Sequence, residues 1–130
     1  MRVLLDTHIA LWAVVGSKRL APQAKAAILA ADEVFVSSAS LWEIAIKHGL
    51  RRGKVNMPMS SAQALQAFND AGYGLLNVRP EHVLMVERLS PIHNDPFDRM
   101  LVAQAFSEPL TLITRDALVA SYSPAIVKVA

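Results

Sequence analysis

Four carboxylates occupy positions in this chain where they could act together: Asp6, Glu43, Asp98 and Asp116. Asp6 follows the apolar run Val3 to Leu5, and Asp116 follows the run Leu110 to Thr114, so each marks a change from strand to helix. Glu43 lies a turn into the helix after a further apolar run, Val34 to Val36, and Asp98 a turn into the helix that precedes the Asp116 strand. Ionised carboxylates gathered in one cleft repel one another unless some stay protonated or a cation neutralises them. Oxygen-only ligation with waters retained is the habit of Mg2+ or Mn2+. A centre of that kind has an evident use in phosphodiester hydrolysis, where the ion activates water and stabilises the leaving oxygen. With no cysteine there is no Cys-His set for zinc, and no Gly-rich Walker loop is present for a nucleotidase.

Each acid also has a purely structural explanation. Asp6 could cap a helix, Ser40-x-x-Glu43 matches a capping box, Asp98 at the third helical position favours the helix dipole, and Asp116 could cap the last helix. Taken together these explanations weaken, because most caps have another supplier: Thr7 beside Asp6, Ser38 or Ser40 beside Glu43, and Asp95 beside Asp98. Asp95-Pro96 opens a helix in the usual way, since the aspartate accepts an orphan backbone N–H and proline lacks one where none is needed. Phe97, Leu101 and Ala105 then form the packing stripe, which leaves Asp98 free to face a ligand.

The elements that must position these acids alternate along the chain. Strand Val3 to Leu5 leads into a helix carrying Ile9, Trp12 and Ala13, broken at Gly16 to Lys18. Pro22 opens a helix through Ala31, with Ile28 and Leu29 offered to the core. Strand Val34 to Val36 precedes a helix from about Leu41 to His48, closed by Gly49. A helix starting between Pro58 and Ser61 runs to Asp70 and stops at Gly72. Leu75 to Val78 reads as a strand, Pro80 opens a helix carrying Val83, Val86 and Leu89, and Ser90-Pro91 ends it. The helix of Asp95 to Ala105, strand Leu110 to Thr114, a short helix after Asp116 and a last strand at Ile126 to Val129 complete the chain. Short apolar strands alternating with helices imply a three-layer α/β/α sandwich around a parallel sheet of four to five strands. Ligands bind such sheets at the carboxyl edge, where the strand order reverses. Strand-to-helix order alone brings Asp6, Glu43 and Asp116 to that edge; Asp98, with no strand directly before its helix, rests on the capping argument.

A length of 130 residues fits one domain with a sizeable core. Hydrophobic content of 53% against 18% charged residues predicts that some apolar surface meets another chain. The net charge is only +2, yet no acid occurs between Glu43 and Asp70, where Lys47, Arg51, Arg52 and Lys54 cluster. This patch could steer a polyanion such as RNA, or simply solvate a helix end. Asp6 and His8 interrupt the apolar N-terminus, which excludes a signal peptide, and no run approaches a membrane span, so the chain is read as cytoplasmic.

Four segments, DTHIALW from Asp6, SSASLWEIAIK from Ser37, HNDPFDRMLVAQA from His93 and LITRD from Leu112, resemble the PIN-domain family, specifically its VapC-type toxin ribonucleases. The resemblance spans nearly the whole chain in order. It implies that Asp6, Glu43 and Asp98 are core metal ligands and Asp116 a fourth acid acting through water. It further implies Mg2+- or Mn2+-dependent endoribonuclease activity, a homodimer, and inhibition by a small VapB-like antitoxin that covers the acidic cleft. Thr7 and Thr114 could support the ligand shell. Arg99 and Arg115 could contact phosphate or balance nearby acids. His93 could orient a carboxylate or assist a leaving group, or merely bond to adjacent backbone, while Trp12 and Trp42 read as core or interface anchors.

Three other readings stay open at this point. One is a PIN-like module that only binds a protein partner, and another is a PIN nuclease of RNA processing that has no antitoxin. The third is an aspartyl-phosphate receiver, which needs a lysine near the acids; the late candidate, Lys128, falls inside the last strand.

Overall fold

A computed structural model describes residues 1–50 and 57–130. The elements, in chain order, are β1 (Arg2–Leu5), α1 (Thr7–Val15), α2 (Pro22–Ala30), β2 (Glu33–Ser37), α3 (Ser38–Leu50), α4 (Ser61–Asp70), β3 (Gly74–Leu76), α5 (Pro80–Arg88), α6 (Pro96–Ser107), β4 (Thr111–Thr114), α7 (Ala117–Ala120) and β5 (Val127–Lys128). The five strands form one sheet in the order β3-β2-β1-β4-β5, with every pairing parallel. The expected sandwich is therefore present, with five strands. β1 is the central strand: Leu4 sits between Phe35 of β2 and Leu112 of β4.

Alternation along β1 divides the core. Val3 and Leu5 face one side, where they join Ile9, Ala24, Ile44, Ala64 and Phe68 from α1 to α4. Leu4 faces the other, with Leu112 of β4 and Leu101, Val102 and Val119 from α6 and α7. All three β1 side chains are fully buried, as expected of a central strand covered by helices on both faces.

Local chemistry sets most boundaries. Pro22, Pro80 and Pro96 each stand at the first helical position of their helices. Ser60 and Gln63 close a reciprocal capping box at the start of α4. Gly16 ends α1 at φ 66°, a left-handed conformation that glycine adopts without strain.

Several limits differ from the sequence reading. α3 begins at Ser38, because Ser37 Oγ accepts the Ala39 N–H at 3.0 Å, and it continues through Gly49. Ser40 is thus inside the helix and caps nothing. β3 is shorter and earlier than Leu75 to Val78: the Val78 N–H leaves the sheet to donate to Ser38 Oγ at 3.0 Å. Leu29 is 78% exposed rather than core, since Ala24 supplies the fully buried contact of α2. Among the described residues no helix is long and apolar enough to cross a membrane.

Candidate metal centre

The strand order reverses between β1 and β4, and the chain leaves β1 there at Asp6. Asp6 N donates to Ile113 O at 3.0 Å, extending the strand pairing by one residue beyond β1. Asp6 holds the N-cap position of α1 but makes no capping hydrogen bond with its side chain. Instead Oδ2 accepts the Thr114 hydroxyl at 2.6 Å, with Thr114 fully buried at the end of β4. Burial pushes the Asp6 pKa up, against the lowering effect of that hydrogen bond, and the Glu43 charge adds to the rise. The Thr7 hydroxyl lies 2.8 Å from Ser40 Oγ, both side chains buried, which ties the start of α1 to α3. Thr7 is therefore bonded to the helix that carries Glu43.

Glu43 is 3% exposed on α3, one turn beyond Ser40. Its Oε2 is 2.5 Å from Lys47 Nζ, while Oε1 is buried and has no hydrogen-bond partner among the described residues. Burial pulls the Lys47 pKa down, but its bond to Glu43 and the Glu43, Asp95 and Asp98 charges raise it overall. Lys47 is thus engaged inside the acid cleft. Arg51, Arg52 and Lys54, the rest of the basic run, lie outside the described residues.

The first turn of α6 separates its two aspartates as the sequence suggested. Asp95 Oδ1 accepts the N–H groups of Phe97 at 2.8 Å and Asp98 at 3.1 Å, a complete N-cap. Asp98 points to the cleft, where burial and the Asp6, Asp95 and Glu43 charges push its pKa up to about 7 against the opposing effect of His93. Asp116 caps α7 with Oδ1 (Leu118 N at 2.8 Å) and turns Oδ2 toward His93 Nε2 at 3.2 Å. Partial burial raises the Asp116 pKa, but hydrogen bonds from Leu118, His93 and Val119 outweigh it and leave the value lowered. Its carboxylate stays charged where that of Asp98 does not.

These side chains line one cleft of about 400 Å3 that contains Asp6, Glu43, Asp95, Asp98 and Asp116, with Lys47, Arg19 and Arg115 at its walls. Arg115 lies 5.1 Å from the Trp12 ring centre, stacked on a half-buried side chain. Arg99 points elsewhere. Its guanidinium donates to Val86 O at 3.0 Å, Ser90 O at 3.1 Å and Tyr122 Oη at 3.0 Å, so it fastens the α5–α6 connection to α6. Lys128 is absent from the cleft lining, and the lysine that is present there, Lys47, is engaged by Glu43.

The residues present fit a hard divalent ion. A bound cation would partner the buried Glu43 oxygen and favour the charged form of Asp98, whose pKa burial and then the neighbouring acids raise to about 7. Asp6, Glu43 and Asp98 would supply the oxygen donors, and Asp116 a further one at the rim.

His93 bonds to adjacent backbone as expected, its Nδ1 accepting the Asp95 N–H at 3.2 Å. Its Nε2 also lies 3.0 Å from Asp98 Oδ2 and 3.2 Å from Asp116 Oδ2, the second a contact between residues 23 positions apart that no local pattern encodes. Trp42 is no core residue: it is 63% exposed and meets Phe97 edge-on at 5.1 Å. Together with Val78, Val83, Val86 and Met100 these rings line an apolar groove of about 600 Å3 beside the acids.

The chain resembles known proteins over nearly its full length. The PIN domain family model matches residues 3–122. Ribonuclease VapC22 of Mycobacterium tuberculosis is 31% identical over 121 residues, covering 92% of this chain and 91% of that protein. The fold matches a chain of the VapBC-5 toxin-antitoxin system of M. tuberculosis (TM-score 0.65, 21% identity, 98% of each chain). It also matches a chain of VapBC2 from Rickettsia felis bound to a promoter DNA fragment (TM-score 0.65, 14% identity, 99% of this chain and 98% of that one).

Proposed function

The chain belongs to the PIN domain family, and from that premise we propose that it is a Mg2+- or Mn2+-dependent endoribonuclease, the toxin of a VapBC-type pair acting in the cytoplasm. The observation that carries the reading is the unpartnered Glu43 Oε1, buried in a cleft that also holds Asp6 and Asp98. A relative with ribonuclease in its name and structural neighbours from toxin-antitoxin complexes support it.

Asp6, Glu43 and Asp98 would hold the ion. A bound divalent ion supplies activation of a water for in-line attack and neutralises charge developing on the phosphodiester. Asp6 is kept in place by Thr114, and Glu43 by Lys47, which leaves Oε1 as the free donor. Asp116, ionised and nearer solvent, orients a water at the mouth of the cleft. Arg115 offers a cation to the RNA backbone from the cleft wall, and Lys47 adds positive charge inside it. The exposed Trp42, Val83 and Leu84 supply apolar surface for a second copy of the chain and for a VapB-like antitoxin.

The test is cleavage of RNA by purified wild type, Asp6→Asn and Asp98→Asn, with Mg2+, with Mn2+ and with chelator. Chelator abolishes wild-type cleavage, and each variant falls by roughly 100-fold or more while its far-UV circular dichroism is unchanged. Full activity in both folded variants refutes the proposal. A folded wild type that binds a partner protein but cuts no RNA at any divalent concentration identifies a binding module instead.

A further inference from the structure

His93 stands between two acids, Asp98 and Asp116. Its imidazole is held from behind: the His93 backbone N–H donates to Tyr122 Oη at 2.9 Å, and its carbonyl accepts from Arg99 Nη1 at 3.4 Å. Arg99 and Tyr122 also bond to each other at 3.0 Å, so the loop bearing His93 is fixed to α6 and to the segment after α7. The ring then places Nε2 between Asp98 Oδ2, on α6, and Asp116 Oδ2, at the β4–α7 corner.

Ligating atoms of His93, Asp98 and Asp116 all lie within 4.8 Å of one another, a spacing a metal ion could also bridge. The far side of the ring decides between the two roles. A histidine that ligates through Nε2 carries its proton on Nδ1 and donates it to an acceptor. At His93, Nδ1 instead faces a donor, the Asp95 backbone N–H, at 3.2 Å. Ligation through Nε2 would set one N–H against another and break that bond. The same Asp95 that caps α6 with its side chain therefore sets the tautomer of His93 with its backbone.

Resting on the reading of the cleft as a nuclease metal centre, we propose that His93 is a positioning residue rather than a ligand. As the Nε2–H tautomer it donates to Asp116 while its ring stands 3.0 Å from Asp98 Oδ2, holding the two carboxylates beside one another across two elements before an ion arrives. Without the imidazole between them nothing positions Asp98 against the β4–α7 corner, Asp98 swings from the cleft, and the ion site loses its preorganisation.

The experiment compares wild type, His93→Ala and His93→Gln, with Asp98→Asn as control. In the chelator-treated wild type, long-range 1H–15N correlation reports the Nε2–H tautomer at His93. Mn2+ titration followed by electron paramagnetic resonance gives a dissociation constant about 10- to 100-fold weaker in His93→Ala. His93→Gln, whose amide N–H reaches the same carboxylates, restores most of that affinity. RNA cleavage by His93→Ala recovers toward wild type at saturating Mn2+, a recovery that a general folding defect does not show. An Nδ1–H tautomer overturns the proposal, as does wild-type Mn2+ affinity in His93→Ala. So does a directly bonded nitrogen coupling in the Mn2+ spectrum that disappears in His93→Gln. If His93→Ala does not fold, the tautomer and the Gln variant still decide. Unimpaired cleavage by Asp98→Asn refutes the nuclease-site reading itself, whereas an inactive Asp98→Asn beside a wild-type-like His93→Ala refutes only the role of His93.

Discussion

Asp98→Asn removes a carboxyl that the metal-free protein keeps protonated up to about pH 7, against an ordinary value of 3.8. Burial is the largest cause, followed by the charges of Asp6, Asp95 and Glu43. Because the folded pKa lies above the unfolded one, the native state holds the proton more tightly between roughly pH 4 and pH 7. The associated stability is complete below the unfolded pKa and is lost as pH rises through the folded value. A shift of about three units corresponds to about 4 kcal/mol at most, and since the repulsion is shared among neighbours, a single neutral substitution recovers about 2–4 kcal/mol. The side chain is only 17% exposed, so solvent screening removes little of this. At roughly 3–4 °C per kcal/mol for a domain of this size, chelator-treated Asp98→Asn melts roughly 6–16 °C above wild type at pH 8. The two melt together at pH 4. Addition of Mn2+ raises the wild-type midpoint and leaves the variant nearly unchanged. A variant less stable than wild type at pH 8, or a difference independent of pH, refutes the electrostatic account of this cleft.

The capping role of Asp95 separates from its charge by comparing two neutral variants. Asp95→Asn retains a cap acceptor and Asp95→Ala does not, so urea unfolding places Ala about 1 kcal/mol below Asn. Arg99→Lys keeps the charge but loses the planar fork that reaches Val86 O, Ser90 O and Tyr122 Oη, and chemical denaturation shows a loss of about 1–3 kcal/mol. Leu4→Ala opens a cavity in the central strand and lowers stability by about 2–5 kcal/mol in the same assay. Gly74→Ala sets a Cβ 2.8 Å from Phe35 Cε1, so the Phe35 ring must shift, and the midpoint falls by an amount equivalent to about 1–3 kcal/mol.

The alternation of strands and helices was legible because central strands buried on both faces must be apolar throughout, as Val3 to Leu5 are. The Asp95-Pro96 cap was legible because capping is local chemistry. Local patterns misled where two suppliers compete. Ser37, Ser38 and Ser40 are all plausible caps before Glu43, and only the structure shows Ser37 capping while Ser40 meets Thr7. The role of His93 depends on Tyr122, Arg99 and Asp116, contacts made only when α6 and the β4–α7 corner meet. Arg99 read as a phosphate or carboxylate partner because its neighbour Asp98 is acidic, but i,i+1 residues diverge on a helix and its guanidinium finds backbone carbonyls instead.

The hydrogen bond from Thr114 to Asp6 joins residues 108 positions apart. During synthesis β1 emerges first and pairs with β2 early, yet its other edge waits for β4, near the end of the chain. Until then Asp6 has no Thr114 to hold it, and neither Asp98 nor Asp116 has its place. The cleft is complete only once β4 has joined β1, so a chain lacking β4 has no assembled site.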